Sequence, residues 1–374
     1  MKKVLSAIVA IIFGVAVLNA QPGCPSVNAG ADRNIPCGQT CANLTAVPFS
    51  GGQTTQYAVN SIAYNPPFPY NTGTPVLVGV DDTWSNTVNL PFNFCFFGNA
   101  FNQLKIGSNG IITFDLSVVS GGANSCRWEI TSGLPNVQPG QYGNAIMGPY
   151  HDIDPSVSGS GTQYYEIGGT APCRYFKISY NNIPMYNCNS LRATHMIILY
   201  ETTNAIEIYI QNKPTCSGWN SGAAIEGIVN ANRTVAYNVP GRGTPAPTWT
   251  ASNDAWRFTP NGAPNYTIAW FDGATQIGTG QTIQVCPTVG TNYRAEATYV
   301  GCTGSTPVVV TDDVFVGIAG LTVSVDSVKG PTCVGSTDGV LIASYNTNSA
   351  VLSYGWTPGG ANQTTLTGVG AGTY

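Results

Sequence analysis

The sequence predicts an all-β protein built of tandem β-sandwich modules, and three observations carry that prediction. After residue 20 no window sustains the 3.6-residue hydrophobic period of a helix. Short segments of alternating polar and apolar residues, bounded by Gly, Asn, Asp and Pro, recur throughout the chain. Only 9% of the residues are charged while Gly, Asn, Thr and Ser abound, so the solvent-facing groups must be mostly amides and hydroxyls.

The chain opens with Met1-Lys2-Lys3, an apolar run from Val4 to Leu18, and Asn19-Ala20. That three-part layout predicts a secretory signal peptide over residues 1–20, cleaved after Ala20. A membrane-spanning helix is the competing reading, but the run is shorter than the roughly 20 apolar residues a bilayer requires and no basic flank follows. A lipid anchor on Cys24 is disfavoured by Gln21-Pro22-Gly23, a poor acylation signal. Without Lys2 and Lys3 there remain 12 basic against 18 acidic residues, a net charge of −6 with no basic cluster. Nucleic acid and anionic membrane are therefore poor partners, and no membrane insertion of the mature chain is expected. Eleven cysteines in an exported chain read first as disulfides, with at least one thiol left over.

Residues 21–75 are rich in Pro, Gly and Asn, contain Cys24, Cys37 and Cys41, and read as a stapled lead-in. Residues 76–260 carry dense strand signals. Asn89–Phe97 leads to Leu104–Ile106, the turn Ser108-Asn109-Gly110, and Ile111–Phe114, and Asn-Gly between apolar runs is a strong hairpin signal. Arg174–Tyr180, Thr194–Tyr200 and Ala205–Gln211 form three consecutive strands, the last with Ile206, Ile208 and Ile210 on one face. Such a meander should pack on a second sheet, and Trp249–Phe258 closes the module as its terminal strand. Residues 261–318 follow a boundary at Pro260–Pro264 and show four strand segments at the spacing of a small Ig-like sandwich. Residues 319–374 begin another strand at Thr322–Val325 and read as a repeat that stops where a strand should start.

Strand order predicts a disulfide between Cys188 and Cys216. If consecutive strands of the meander alternate in direction, both cysteines lie beyond the same end of the sheet, while Cys173 lies at the other end, over 20 Å away at about 3.3 Å per residue. Cys286 is expected to pair with Cys302, because they flank the strand Tyr293–Val300 and no other cysteine falls within 261–318. Cys333 is expected to be unpaired, and residues from about 321 onward to be the least stable part. The partners of Cys24, Cys37, Cys41, Cys95, Cys126 and Cys173 stay open.

The middle module resembles the extracellular nidogen-type domain. The residues that carry the resemblance are Phe94–Gly98, Asn109–Phe114, and Pro149-Tyr150-His151-Asp152-Ile153-Asp154, in the family's order, with His151 standing where an aromatic is usual. The 261–318 module is similar to the Ig-like or PKD-like units of surface proteins of gliding Bacteroidetes. The final segment resembles the repeat of their gliding-motility adhesins through Cys333, Gly335, Asp338-Gly339, Tyr354, Trp356 and Gly372-Thr373-Tyr374. Together with Cys24–Asp32, these resemblances imply a cargo of the type IX secretion machinery, displayed on the outer cell surface for adhesion.

The residues themselves offer little chemistry. No Gly-X-Ser-X-Gly, His-Glu-X-X-His, phosphate-binding Gly loop or Cys-X-X-Cys is present. Only His151 and His195 are available for a triad or an imidazole site, and His195 lies within a strand, where a structural role is the plainer reading. Asp152 and Asp154 offer oxygen ligands for Ca²⁺, but they serve equally to cap a turn before Pro155, and no EF-hand spacing follows. Trp84, Trp128, Trp219, Trp249 and Trp256 would stack on sugars if exposed, although core packing is the commoner role. No catalytic residue, metal site or cofactor is therefore expected. The reading is a non-enzymatic adhesin that binds a glycan or protein on a surface through loops of its first sandwich. Its rivals are an accessory region of a large secreted hydrolase and a purely structural spacer.

Overall fold

The computed structural model describes residues 23–372 apart from 37, 50, 123, 129–131, 138–140, 247, 303, 320, 348–354 and 357–363. The expected signal peptide, Cys37 and Thr373-Tyr374 lie outside the described residues. The regular secondary structure of the described residues is nearly all strand, and no helix among them is long and apolar enough to cross a membrane. It forms two compact units. The first comprises the described residues up to Pro25, Gly51–Pro264 and Gly301–Thr306; the second comprises Ser26–Ser50, Asn265–Val300 and the chain from Pro307.

The first unit holds two large sheets. From edge to edge the seven-stranded sheet runs Tyr57–Ser61, Ala251–Pro260, Ile206–Lys213, Cys188–Tyr200, Tyr175–Met185, Thr162–Gly168 and Thr74–Val76. The six-stranded sheet runs Ala236–Asn238, Ile225–Val229, Ala145–Tyr150, Ile111–Thr113, Asn99–Gly107 and Val88–Phe96. Val88–Phe96 alternates buried with exposed side chains until Cys95 and Phe96, which are both buried. Phe94, Phe96, Phe114, Ile178, Ile197 and Ile208 belong to the core these strands share. The expected meander and Asn-Gly hairpin are present, and Ala251–Pro260 pairs along Ile206–Lys213 as the anticipated closing strand.

The other face of the meander is covered as well. Tyr64, Phe68 and Tyr70 pack over Tyr175, Tyr200 and Tyr209 and cover it. Glu207 is consequently buried, and it accepts hydrogen bonds from the hydroxyls of Tyr200 (2.7 Å) and Tyr209 (2.9 Å) and from Arg257 Nε (2.7 Å). Lys177 is buried beneath the same segment and donates to Pro69 O (2.8 Å) and Thr72 Oγ1 (2.7 Å). These charges are accommodated because each finds polar partners inside.

The second unit corrects the lead-in. Arg33–Ile35 pairs in parallel with the end of Val308–Ile318, and Ala42–Thr45 pairs with Thr282–Val285. A five-stranded sheet results, ordered Thr275–Thr279, Tyr266–Asp272, Thr291–Tyr299, Val308–Ile318 and Arg33–Ile35. Val27, Ile35 and Leu44 enter one core with Trp270, Tyr293 and Val314. Tyr57–Ser61, also inside the expected lead-in, and Thr74–Val76, across its end, are edge strands of the first unit. The three strands Leu321–Lys329, Gly339–Thr347 and Thr365–Val369 form a separate sheet. Val323, Val325 and Val328 are exposed there, at 66%, 56% and 66%.

Four disulfides join Cys24 to Cys173, Cys41 to Cys286, Cys95 to Cys302, and Cys188 to Cys216. Together with the all-β fold they fit an extracellular or secreted protein. The expected Cys188–Cys216 bridge is present, and the Cys286–Cys302 bridge is not. Cys286 and Cys302 lie beyond opposite ends of Thr291–Tyr299, and nine residues at about 3.3 Å each hold the ends about 30 Å apart, far beyond disulfide reach. Cys126 and Cys333 are free, the first buried and the second exposed.

Candidate functional site

The hairpin turn at Asn109-Gly110 organises the loops of the first unit. Asn109 is fully buried, and its Nδ2 donates to Asp82 Oδ1 (2.8 Å) and to Cys126 O (2.9 Å), while its Oδ1 accepts from the Ile153 amide (3.1 Å). One side chain thus ties together the 77–87 segment, the loop at Cys126 and the 150–156 loop. Gly110 is required beside it: its φ is +82°, and a Cβ there would meet Pro149 O at 2.0 Å.

Through this tether Asp81 and Asp82 share one neighbourhood with Asp152 and Asp154. Burial first, then the neighbouring Asp82 and Asp154 charges, push the Asp81 carboxyl up to about 7. Asp152 is also raised to about 7, chiefly by burial, against a 2.6 Å hydrogen bond to its Oδ2 from Trp219 Nε1 that favours the charge. Trp219 contacts Trp128 and Tyr186, with ring centroids 5.7 and 4.8 Å apart, so a partly exposed aromatic group stands beside the Asp152 carboxyl. Asp154 accepts from the Ser156 amide (2.8 Å), the turn cap that its place before Pro155 suggested. No group of three or more His, Cys, Asp or Glu among the described residues is arranged to hold a metal ion.

His151 and His195 do come together, with centroids 5.6 Å apart, but inside the core. Both are fully buried and neither ring nitrogen of either has a hydrogen-bond partner among the described residues. His195 stacks on Tyr180 at 4.5 Å. Burial lowers the His195 imidazole to about 3, and burial, His195 and Lys213 hold His151 well below its usual range.

Trp84, Trp249 and Trp256 are spent on packing. Trp84 is buried and donates to Ser125 O (2.9 Å). Trp249 lies under Lys213 and Arg242, at 4.4 and 4.5 Å from its centroid. Arg242 bridges the buried Glu226 (2.6 Å) and Asp254 (2.5 Å), and burial raises Glu226 to about 7.

A cleft of about 480 Å³ opens along the side of the same unit, where Thr74–Val76 and Val88 mark the free edges of the two sheets. The 77–87 segment that carries Asp81 and Asp82 runs between those edges and supplies much of the wall. Leu77 adopts φ +54° at its start, and Asp82 φ +46° in its middle, so the segment holds a conformation that non-glycine residues adopt at a cost. Sequence reasoning found Asp152 and Asp154 but missed Asp81, Asp82 and the cleft. The Asp81-Asp82 pair beside Gly79 was their visible signal; the neighbours that give it meaning lie about 70 residues away.

Residues 56–270 match the model of a protein family described as NIDO related. No curated protein and no solved structure matches the chain.

Proposed function

The chain belongs to the NIDO-related family, and from there we propose that it is a non-catalytic extracellular adhesion protein that binds a glycan or protein through the loops of its first unit. The observation that carries this reading is where the chemistry lies. The aromatic group at Trp219, the carboxyls beside it and the cleft all sit on loops or free edges of a disulfide-stapled sandwich, the usual place for recognition on a rigid scaffold. The only two imidazoles are sealed in the core, where they cannot reach a substrate.

The finer reading follows the resemblances. The second unit acts as an Ig-like or PKD-like spacer, the last three-stranded sheet is part of an adhesin-type repeat, and export runs through type IX secretion to the outer surface. The test is retention of the purified oxidised chain on glycan-coated, protein-coated and bare mineral surfaces. Saturable retention on at least one of them, lost after Tyr186→Ala together with Trp219→Ala, is expected. Retention on none, or turnover of a glycan, peptide or ester that disappears with Asp152→Ala, would overturn the proposal.

A further inference from the structure

We propose that the cleft beside Thr74–Val76 is a binding site for an uncharged saccharide, which rests on the adhesion reading above and names its ligand class. The volume, about 480 Å³, falls within the range of about 300–1,000 Å³ typical of small-ligand sites. Three features of the lining select the ligand.

The first is unspent hydrogen bonding. The side chains of Thr74, Asn86, Thr87 and Tyr165 line the cleft and make no side-chain hydrogen bond among the described residues. Thr74 and Tyr165 face each other directly across paired strands. Thr83 Oγ1, also in the lining, is buried with no partner. The Ser85 hydroxyl, by contrast, is already engaged, donating to Asn86 O (2.7 Å) and accepting from the Ile106 amide (2.9 Å). A ligand rich in hydroxyls can both donate to and accept from the free set.

The second feature is apolar surface interleaved with those groups. Val76 and Leu77 are half-buried, Val80 is 43% exposed, and the Tyr165 ring is itself half-buried. Sugars present C–H faces alternating with hydroxyls, which matches a wall where aliphatic and aromatic carbon alternates with hydroxyl and amide. A fatty ligand would bury those polar groups unpaired, which opposes its binding.

The third is charge. No Lys, Arg, Asp or Glu lines the cleft. The charged residues adjoining the lining in sequence are acidic, Asp81 and Asp82 between Val80 and Thr83 and Glu166 after Tyr165, and they disfavour a sulfated or carboxylated sugar. The lining thus specifies neutrality.

The test is calorimetric titration of the full oxidised chain with neutral trisaccharides of glucose, galactose, mannose, xylose and N-acetylglucosamine. Binding of at least one is expected. Asn86→Ala with Thr87→Ala, both exposed, should weaken it tenfold or more without moving the melting temperature. Tyr165→Phe should weaken it severalfold by removing one hydroxyl. Failure of every trisaccharide to bind, binding unchanged in the Asn86/Thr87 variant, tighter binding of a sulfated or sialylated counterpart, or oleate taking the cleft would overturn the assignment. If the chain is still retained on surfaces, only the saccharide assignment falls; if no surface retains it, the adhesion reading falls with it.

Discussion

Asp152 is held where its proton is favoured, and His195 where its proton is refused, so the two load the pH dependence of stability in opposite directions. The carboxyl is raised from 3.8 to about 7, so its contribution is present in full below pH 3.8 and is lost as pH rises through 7. The imidazole is lowered from 6.5 to about 3, so its contribution is present above pH 6.5 and is lost as pH falls toward 3. Between pH 4 and 7 the terms offset each other. Asp152→Asn keeps an acceptor for the Trp219 indole but removes the carboxyl term. Its stability should therefore rise more steeply than wild type from pH 4 to 7 and exceed it at pH 8 by about 1–2 kcal/mol after solvent screening. Urea unfolding at several pH values measures this, and identical slopes for the two proteins would refute it. Gly110→Ala should cost about 2–4 kcal/mol, since positive φ and the Pro149 carbonyl both oppose a Cβ. A melting temperature within a degree of wild type would contradict that. Gly110 was legible as a turn residue because Asn-Gly is a local signal. The tether made by Asn109 was not, because its partners at Asp82, Cys126 and Ile153 are distant in sequence and nothing local to 109 encodes them.

Strands were legible where they are long and share one face. Asn89–Phe97 and the meander were legible as strand-length runs rich in apolar residues, the last of them alternating, and the antiparallel order of the meander sufficed to place Cys188 beside Cys216. The same end-to-end reasoning, applied to Thr291–Tyr299, excludes Cys286–Cys302; elimination within assumed domain limits misled because Cys41 was assigned elsewhere. Arg33–Ile35 and Ala42–Thr45 were illegible since three or four residues between prolines and glycines show no period, and their partners lie over 230 residues away. Peptide mapping of the oxidised chain is expected to join Cys286 to Cys41 and Cys302 to Cys95. Cys188→Ser with Cys216→Ser frees a loop whose closure is worth about 3.5 kcal/mol in the chain-entropy model. A loss below about 1 kcal/mol by urea unfolding would mean that the loop is ordered before it is closed.

The chain enters its second unit at residue 26, leaves it at 50 and returns at 265, so the bulk of the NIDO-related unit, Gly51–Pro264, lies between two parts of the other. That arrangement decides which fragments can fold. The core of the second unit draws Val27, Ala29, Ile35, Leu44 and Ala46 from the part before Gly51, and Ile268, Trp270, Tyr293, Ala295 and Val314 from the part after Pro264. A fragment beginning at Asn265 lacks the first set, loses the parallel partner of Val308–Ile318 and the partner of Thr282–Val285, and leaves Cys286 without Cys41. At about 25 cal/mol per Å² of apolar surface, removing five core side chains costs several kcal/mol, a large part of the roughly 5–15 kcal/mol that holds a domain together. Residues 265–320 alone are therefore expected to give no cooperative unfolding transition. Residues 26–49 joined through a short Gly-Ser linker to the same fragment should restore one and form the Cys41–Cys286 bridge. Near-ultraviolet circular dichroism and thiol counting read both outcomes. Cooperative melting of 265–320 without the earlier segment would show that the strands before residue 50 decorate the unit rather than complete it.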